Sequence, residues 1–398
     1  MLTGLDRLAE SPELAGKLRD ERVGLLAHAA SVTRDLVHAS LVLERIGIHP
    51  RVLFGPEHGY GGEAQDMIGV ADATDARGAP VRSLYGARFD DLSPRREDLE
   101  KIDCLLIDLQ DVGSRYYTFV WTAVLAARAC LEHGVRVVVL DRPNPIGADP
   151  RMVEGKAQGR EFCSFVGLEP IPIRHGLTLG EIVGWRAHEE GMPPGFVQVV
   201  KVLGADPAEP ASAWDRPFVM PSPNMPSYET ALVYPGACLL EGTNLSEGRG
   251  TTRPFEVAGA PWIDGVRLAS DFNALGLVGV CARPLTFTPQ FQKHAAKRCG
   301  GVQIHVLEPR VFRPVRAYLS LITLAKRQND VAFRFRTDPY EFVEHIPAFD
   351  LLTGGAEARE AIVAGAEPRD VSALVADPGA RDIEIVRDAS EAAARLAI

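Results

Sequence analysis

The chain predicts an α/β fold: a parallel sheet with crossover helices, followed by a smaller α+β domain, with a cleft between the two. Three observations carry the prediction. Over the first 150 residues, short β-branched apolar runs alternate with longer segments of helical period, the pattern of strands joined by crossover helices. Each apolar run passes directly into a polar, glycine- or proline-marked loop. Beyond a proline-dense stretch ending at Pro226, the order becomes mixed.

Four strands are expected in the first part, at Val23–Ala27, Val52–Phe54, Cys104–Ile107 and Val135–Leu140. Each is a compact apolar run, as a strand covered on both faces requires. Between the last two, Val120, Val124, Ala127 and Leu131 repeat along one helical face, so a helix is expected over Tyr117–His133, stopped by Gly134. A second helix is expected over Leu179–Glu189, where Thr178 followed three residues later by Glu181 reads as a capping box. The segment from Ala205 to Pro226 suits a stiff connection, which divides the chain into 1–226 and 227–398. The second part predicts helices near Val266–Leu275 and Val315–Lys326 and strands at Val278–Ala282 and Val302–Val306, and the alanine-rich tail from Ala356 predicts surface helices. No internal repeat is present.

Composition excludes several classes of function. With 398 residues, 46% hydrophobic and 24% charged, the chain can bury a large core. Its net charge of −10, with no basic run, argues against a nucleic-acid partner. No apolar stretch approaches the roughly 18 residues of a membrane span, and the opening residues lack the plan of an export signal, so a cytoplasmic location is expected. Six scattered cysteines fit a reducing compartment. The ten histidines form no metal-ligand spacing, no serine sits in a nucleophile elbow, and no lysine follows a glycine-rich loop. Neither a metal nor another cofactor is expected.

The chemistry concentrates in the loops after the strands, because ligands of open α/β sheets bind outside the strands' carboxyl ends. Gly55–Gly62 places Glu57 and His58 there, bracketed by glycines, and partial burial at such a position favours the protonated carboxyl that a general acid needs. The alternative is a turn in which Glu57 bonds neighbouring amides. Asp108–Tyr117 packs Gln110, Asp111, Arg115 and Tyr116 between strand and helix, where helix capping and an ion pair would account for about two of the groups. Asp141–Pro145 carries Asn144 on the next strand, with a structural ion pair as the equal alternative. In the second part, Glu241–Glu256 carries Asn244, Glu247 and Arg249, a loop suited to sugar hydroxyls and a carboxylate.

Taken together, GPEHG at 55–59, DLQDVGSRYY at 108–117, DRPNPI at 141–146, RHG at 174–176, PSPNMP at 221–226, EGTNLSEGRGTTRPFE at 241–256 and the stretch 287–306 resemble the exo-β-N-acetylmuramidases of the NamZ family along nearly the whole chain. The resemblance implies a Rossmann-like N-terminal domain and a smaller C-terminal one that share the active-site cleft. It also implies release of N-acetylmuramic acid from the non-reducing end of peptidoglycan fragments in wall turnover and recycling. The family's glutamate falls on Glu57. Many members carry an export signal and this chain does not, so imported muropeptide sugars are the expected substrate.

A β-glycosidic bond commonly breaks between two carboxyl groups. Glu57 is the expected acid, Asp111 the leading partner with Glu241 and Glu247 open as alternatives, and Tyr116 a contributing phenol. Expected substrate contacts are His58, Gln110, Arg115, Asn144, His175, Asn224, Glu241, Asn244, Glu247 and Arg249, with Arg249 foremost for the lactyl carboxylate. Two other classes remain open: a non-catalytic amino-sugar-binding protein, and a nucleotide or phosphoryl-transfer enzyme on a Rossmann-like sheet.

Overall fold

The computed structural model describes residues 1–65, 67–75 and 78–398. Its main sheet has strands β1 (Val23–Ala27), β2 (Val52–Gly55), β3 (Ala73–Thr74), β4 (Pro80–Ser83), β5 (Cys104–Asp108), β6 (Arg136–Leu140) and β7 (Val197–Val200), in the order β3-β4-β2-β1-β5-β6-β7. All neighbours run parallel except β3 against β4.

Side chains alternate across this sheet with the period of two that a strand imposes. Leu25, Leu53, Leu106 and Val138 face the helices Gly4–Glu10, Pro12–Arg19 and Ala39–Arg45. Leu26, Val52, Phe54, Leu105, Ile107, Val137 and Val139 face the opposite way, into a larger core with the helices Phe119–Glu132 and Leu179–Glu189. The four expected strands and both expected helices are thus present. Thr178 and Glu181 form the reciprocal capping box, and Gly134 takes a positive φ of 69° just past its helix.

A second sheet, β8 (Val257–Ala260), β9 (Val280–Phe287) and β10 (Cys299–Val306), is antiparallel in the order β8-β10-β9. The helices Gly265–Ala274 and Pro314–Gln328 lie where the sequence places them. One apolar cluster, from Leu26 to Ala392, runs through both parts of the molecule.

The tail forms helices, as expected, with their outer faces exposed. Its last helix, Ala380–Arg395, buries Val386, Ala389, Ala392 and Ala393 and packs against Leu179–Glu189, where a Cβ on Gly184 would meet Ala393 at 3.1 Å. Val199 N–H donates to Leu396 O and Ile398 N–H to Val199 O, so the carboxyl end returns to the first part and covers the β7 edge. Ala389, Ala392 and Ala393 are the small residues that close helix packing needs, while Ala394 stays exposed. Among the described residues no helix is long and apolar enough to cross a membrane.

Candidate active site

β1 has β2 on one side and β5 on the other, so the direction of crossover reverses there and opens a crevice at the strands' carboxyl ends. A hollow with about 480 Å³ of atom-free space, mouth included, lies between the loops after β2 and β5 and the second part of the chain. Glu57, Tyr116, Tyr117, Ser222 and Asn224 line it from the first part of the chain, and Glu241, Arg249, Tyr340 and Glu341 from the second. A roomier cavity near Arg151, Arg174 and Arg313 lacks comparable chemistry, because these guanidinium groups bond main-chain carbonyls or Asp149.

The loop after β2 turns back sharply: a Cβ on Gly55 would lie 2.3 Å from Tyr60 N, and His58 and Gly59 both have positive φ. That turn delivers Glu57, 5% exposed, to the hollow. Thr118 Oγ1, just before the helix Phe119–Glu132, donates to Glu57 Oε2 at 2.8 Å, and Met67 N–H donates to Oε1 at 3.2 Å. His58 also lines the hollow, with Nδ1 donating to Ala64 O at 2.9 Å.

The loop after β5 divides between site and scaffold. Tyr116 and Tyr117 line the hollow, and burial pushes both phenols well above their usual pKa, so each stays protonated and serves as a donor. Tyr116 Oη has no partner among the described residues. Asp111 is instead sealed in: Oδ2 accepts from Gly113 N–H at 2.7 Å and lies 3.3 Å from His175 Nε2, and neither residue lines the hollow. The expected partner carboxylate is thereby corrected to an interior turn-former, and His175, fully buried, from a sugar contact to its neighbour.

Arg115 is likewise corrected. It is fully buried, and its guanidinium donates to Lys156 O, Ile171 O and Leu352 O, so it joins three segments. Gln110 bridges Asp111 O and Pro143 O. Asn144 takes Ile146 N–H and donates to Leu177 O, while Asn244 takes Arg334 N–H and donates to Ala332 O. These amides satisfy loop backbone, and none of them reaches the hollow.

Asn224 donates to Gln65 Oε1 at 2.7 Å. The segment carrying it is fastened to β1 by His28, whose Nδ1 donates to Pro221 O while Nε2 accepts from Gln110 N–H. Burial, helped by the Arg142 charge, brings the His28 pKa down to about 3 and keeps it a neutral clamp. Beneath it the buried pair Arg142–Asp108 joins β6 to β5 through Nη2 to Oδ2 at 2.9 Å.

Among the lining residues of the second part, Arg249 Nη1 donates to Glu241 Oε1 at 2.8 Å and to Glu247 Oε1 at 3.3 Å, and its guanidinium lies over the Phe255 ring. Tyr340 Oη donates to Glu241 Oε2 at 2.7 Å. Glu247 lies behind these residues: burial alone would raise its pKa, but Lys293 and Arg249 bring it down to about 2. It is a fixed counter-charge, not a sugar contact.

The sequence reading missed Tyr117, Thr118, Ser222, Phe255, Tyr340 and Glu341 as lining residues. The first four lie in or beside motifs already singled out. Tyr340 and Glu341 follow Asp338-Pro339, a turn signal that could have drawn attention to them.

Two family models, described as exo-β-N-acetylmuramidase NamZ N-terminal and C-terminal, match residues 23–229 and 232–381. The chain is 39% identical over 371 residues to the peptidoglycan β-N-acetylmuramidase NamZ of Bacillus subtilis (strain 168), covering 93% of this chain and 86% of that protein. Two solved structures of DUF1343 family proteins from Bacteroides fragilis NCTC 9343 share the fold. One has a TM-score of 0.85 at 28% identity, covering 98% of this chain and 97% of its own; the other has 0.72 at 26%, covering 98% of each.

Proposed function

The chain belongs to the exo-β-N-acetylmuramidase NamZ family, and on that premise we propose that it releases N-acetylmuramic acid from the non-reducing end of peptidoglycan fragments with Glu57 as general acid. The observation that carries the assignment is Glu57 itself, a nearly buried carboxyl group at a strand's carboxyl end, oriented by Thr118 and facing a hollow of phenols and a paired arginine.

In this reading the Glu57 carboxyl protonates the glycosidic oxygen as the bond to the anomeric carbon breaks. The Thr118 hydroxyl holds it in line. Tyr116, whose hydroxyl has no partner among the described residues, donates to a sugar oxygen, and Tyr117, His58 and Asn224 complete the polar lining. Arg249 takes the lactyl carboxylate, a role supported by its place in the lining and its planar fork. Its pairing with Glu241 and Glu247 fixes its direction and offsets its charge, so affinity rests on geometry as much as on net attraction.

The proposal divides the chain near residue 226, supported by the two family models, which meet between 229 and 232. It places the protein in a reducing, cytoplasmic setting, supported by six cysteines that are all free thiols, and takes recycled muropeptide sugars as substrate.

Incubating the protein with a MurNAc-GlcNAc disaccharide tests the function. Equimolar free N-acetylmuramic acid and N-acetylglucosamine are expected. An intact disaccharide after prolonged incubation with folded protein would refute it.

A further inference from the structure

We propose that Lys293 is a positioning residue for the substrate's carboxylate: by holding and offsetting Glu247 it sets how strongly Arg249 attracts the lactyl group, and so how sharply the hollow prefers a free carboxylate to a neutral amide; this rests on Arg249 taking the lactyl carboxylate. An arginine that already meets carboxylates attracts a further one less. Arg249 Nη1 lies 2.8 Å from Glu241 Oε1 and 3.3 Å from Glu247 Oε1. Glu247 gives its other oxygen to a second cation, for Lys293 Nζ donates to Oε2 at 2.9 Å. The Glu247 side chain is only 3% exposed, so solvent ions screen it little from either cation. Burial would raise its pKa, yet Lys293 first and Arg249 second bring it down to about 2, which leaves a full negative charge at neutral pH. Lys293 beside it restores part of the attraction that Glu247 takes from Arg249.

The backbone is arranged around that contact. β9 and β10 pair as a hairpin, but residues 288–298 join them, against the roughly two to five residues that ordinarily suffice. The excursion lies across the loop that carries Arg249. Gln290 N–H donates to Gly250 O at 2.9 Å, and a Cβ on Gly250 would meet Phe291 N at 2.7 Å. His294 Nε2 donates to Asn244 O at 2.7 Å, and its ring meets that of Trp262 edge-on at 5.4 Å. Between these fastenings Lys293 Nζ also donates to Leu240 O at 2.9 Å and Leu245 O at 3.1 Å. All three donors of the ammonium group thus have acceptors, which fixes its place. Gln292, His294 and Ala296 take positive φ of 64°, 58° and 58°, conformations that persist only where the surroundings over-determine them.

A staple for this loop would need the two carbonyls alone. The third contact sets a charge against Glu247, in a chain from Lys293 through Glu247 to Arg249 that ends at the hollow. The sign of its effect follows from Coulomb's law: removing a cation beside Glu247 lowers the potential at Arg249, whatever else surrounds that guanidinium.

Calorimetry on the full-length protein with N-acetylmuramic acid and its lactyl carboxamide reads the effect as the ratio of the amide's Kd to the acid's. The wild type is expected to bind the acid more tightly. Lys293→Met keeps the apolar stem and is expected to lower the ratio about tenfold. Glu247→Gln is expected to raise it, and the double variant, which removes the pair together, to return it to within about threefold of wild type. A loop staple would weaken both sugars together and leave the ratio unmoved. An unchanged ratio in Lys293→Met, or a double variant that keeps the lowered ratio, therefore overturns the role of Lys293 while leaving Arg249 in place. If Lys293→Met does not fold, the step from Glu247→Gln to the double variant isolates the same charge without stranding a buried carboxylate: a lower ratio in the double variant supports the role, and equal ratios overturn it. A wild-type ratio near one overturns the lactyl role of Arg249 and this one with it, and a wild type that binds neither sugar overturns the muramidase reading itself.

Discussion

The loops after β2 and β5 leave the same edge of the same sheet and read alike as sequence, yet only one of them presents its acid to the hollow. Glu57 lines the hollow with Thr118 at its side. Asp111 turns inward, onto Gly113 N–H and toward His175. The difference lies in what roofs each loop. β5 is central, between β1 and β6, and the segment around Arg174 crosses its loop: Ser114 bridges to Arg174, and Arg115 N–H donates to Ile173 O. β2 has only the half-buried β4 and the short, exposed β3 outside it, and its loop is bounded by the second part of the chain across the hollow. A carboxylate at a strand's end is therefore available for chemistry only where no later segment closes over it.

The roofed side should answer mutation with stability, and the open side with kinetics. The largest stability effect is expected at Arg142→Ala, which strands the fully buried Asp108. Urea unfolding should show a loss of about 3–5 kcal/mol. On the open side, Arg249→Lys keeps a charge but loses the planar fork, so KM for the disaccharide should rise about tenfold, or 1.4 kcal/mol, with kcat little changed. An unchanged KM would remove Arg249 from the lactyl site.

The smallest effect concerns a third loop, after β6, roofed by the helix Leu179–Glu189. Burial pushes Asp141 up to about 7, although Thr178 Oγ1 and Gly180 N–H both donate to it. Between its unfolded value near 3.8 and about 7 the native state holds the extra proton. The contribution of Asp141 is therefore full at low pH and falls as pH rises through that window. Asp141→Asn removes this slope, so its melting temperature should fall less than that of wild type between pH 5 and 8. Parallel curves would contradict the assignment.

The legible parts of the molecule are those where one physical requirement dominates. β1, β2, β5 and β6 are covered on both faces and had to be apolar runs, whereas β4, Pro-Val-Arg-Ser, is half-buried and has no such pattern. The helix Tyr228–Ala237 escaped notice because it is buried on nearly every side and shows no polar face. Glu57 could be read from its place after a buried strand. Arg115 and Asn144 misled because main-chain carbonyls and amides in buried loops need polar partners as urgently as a ligand does. Glu341 escaped notice as a lining residue because it sits at a hairpin tip that local preference would give to Asn-Gly.

The contrast between the two loops comes down to a single paired measurement: turnover of the MurNAc-GlcNAc disaccharide by Glu57→Gln and Asp111→Asn, each alongside its thermal melt. Glu57→Gln is expected to lose roughly 10²–10⁴-fold in kcat at an unchanged melting temperature. Asp111→Asn is expected to melt earlier while keeping kcat within about tenfold of wild type. The reverse pattern, with Asp111→Asn inactive at full stability and Glu57→Gln active, would contradict the placement of the acid.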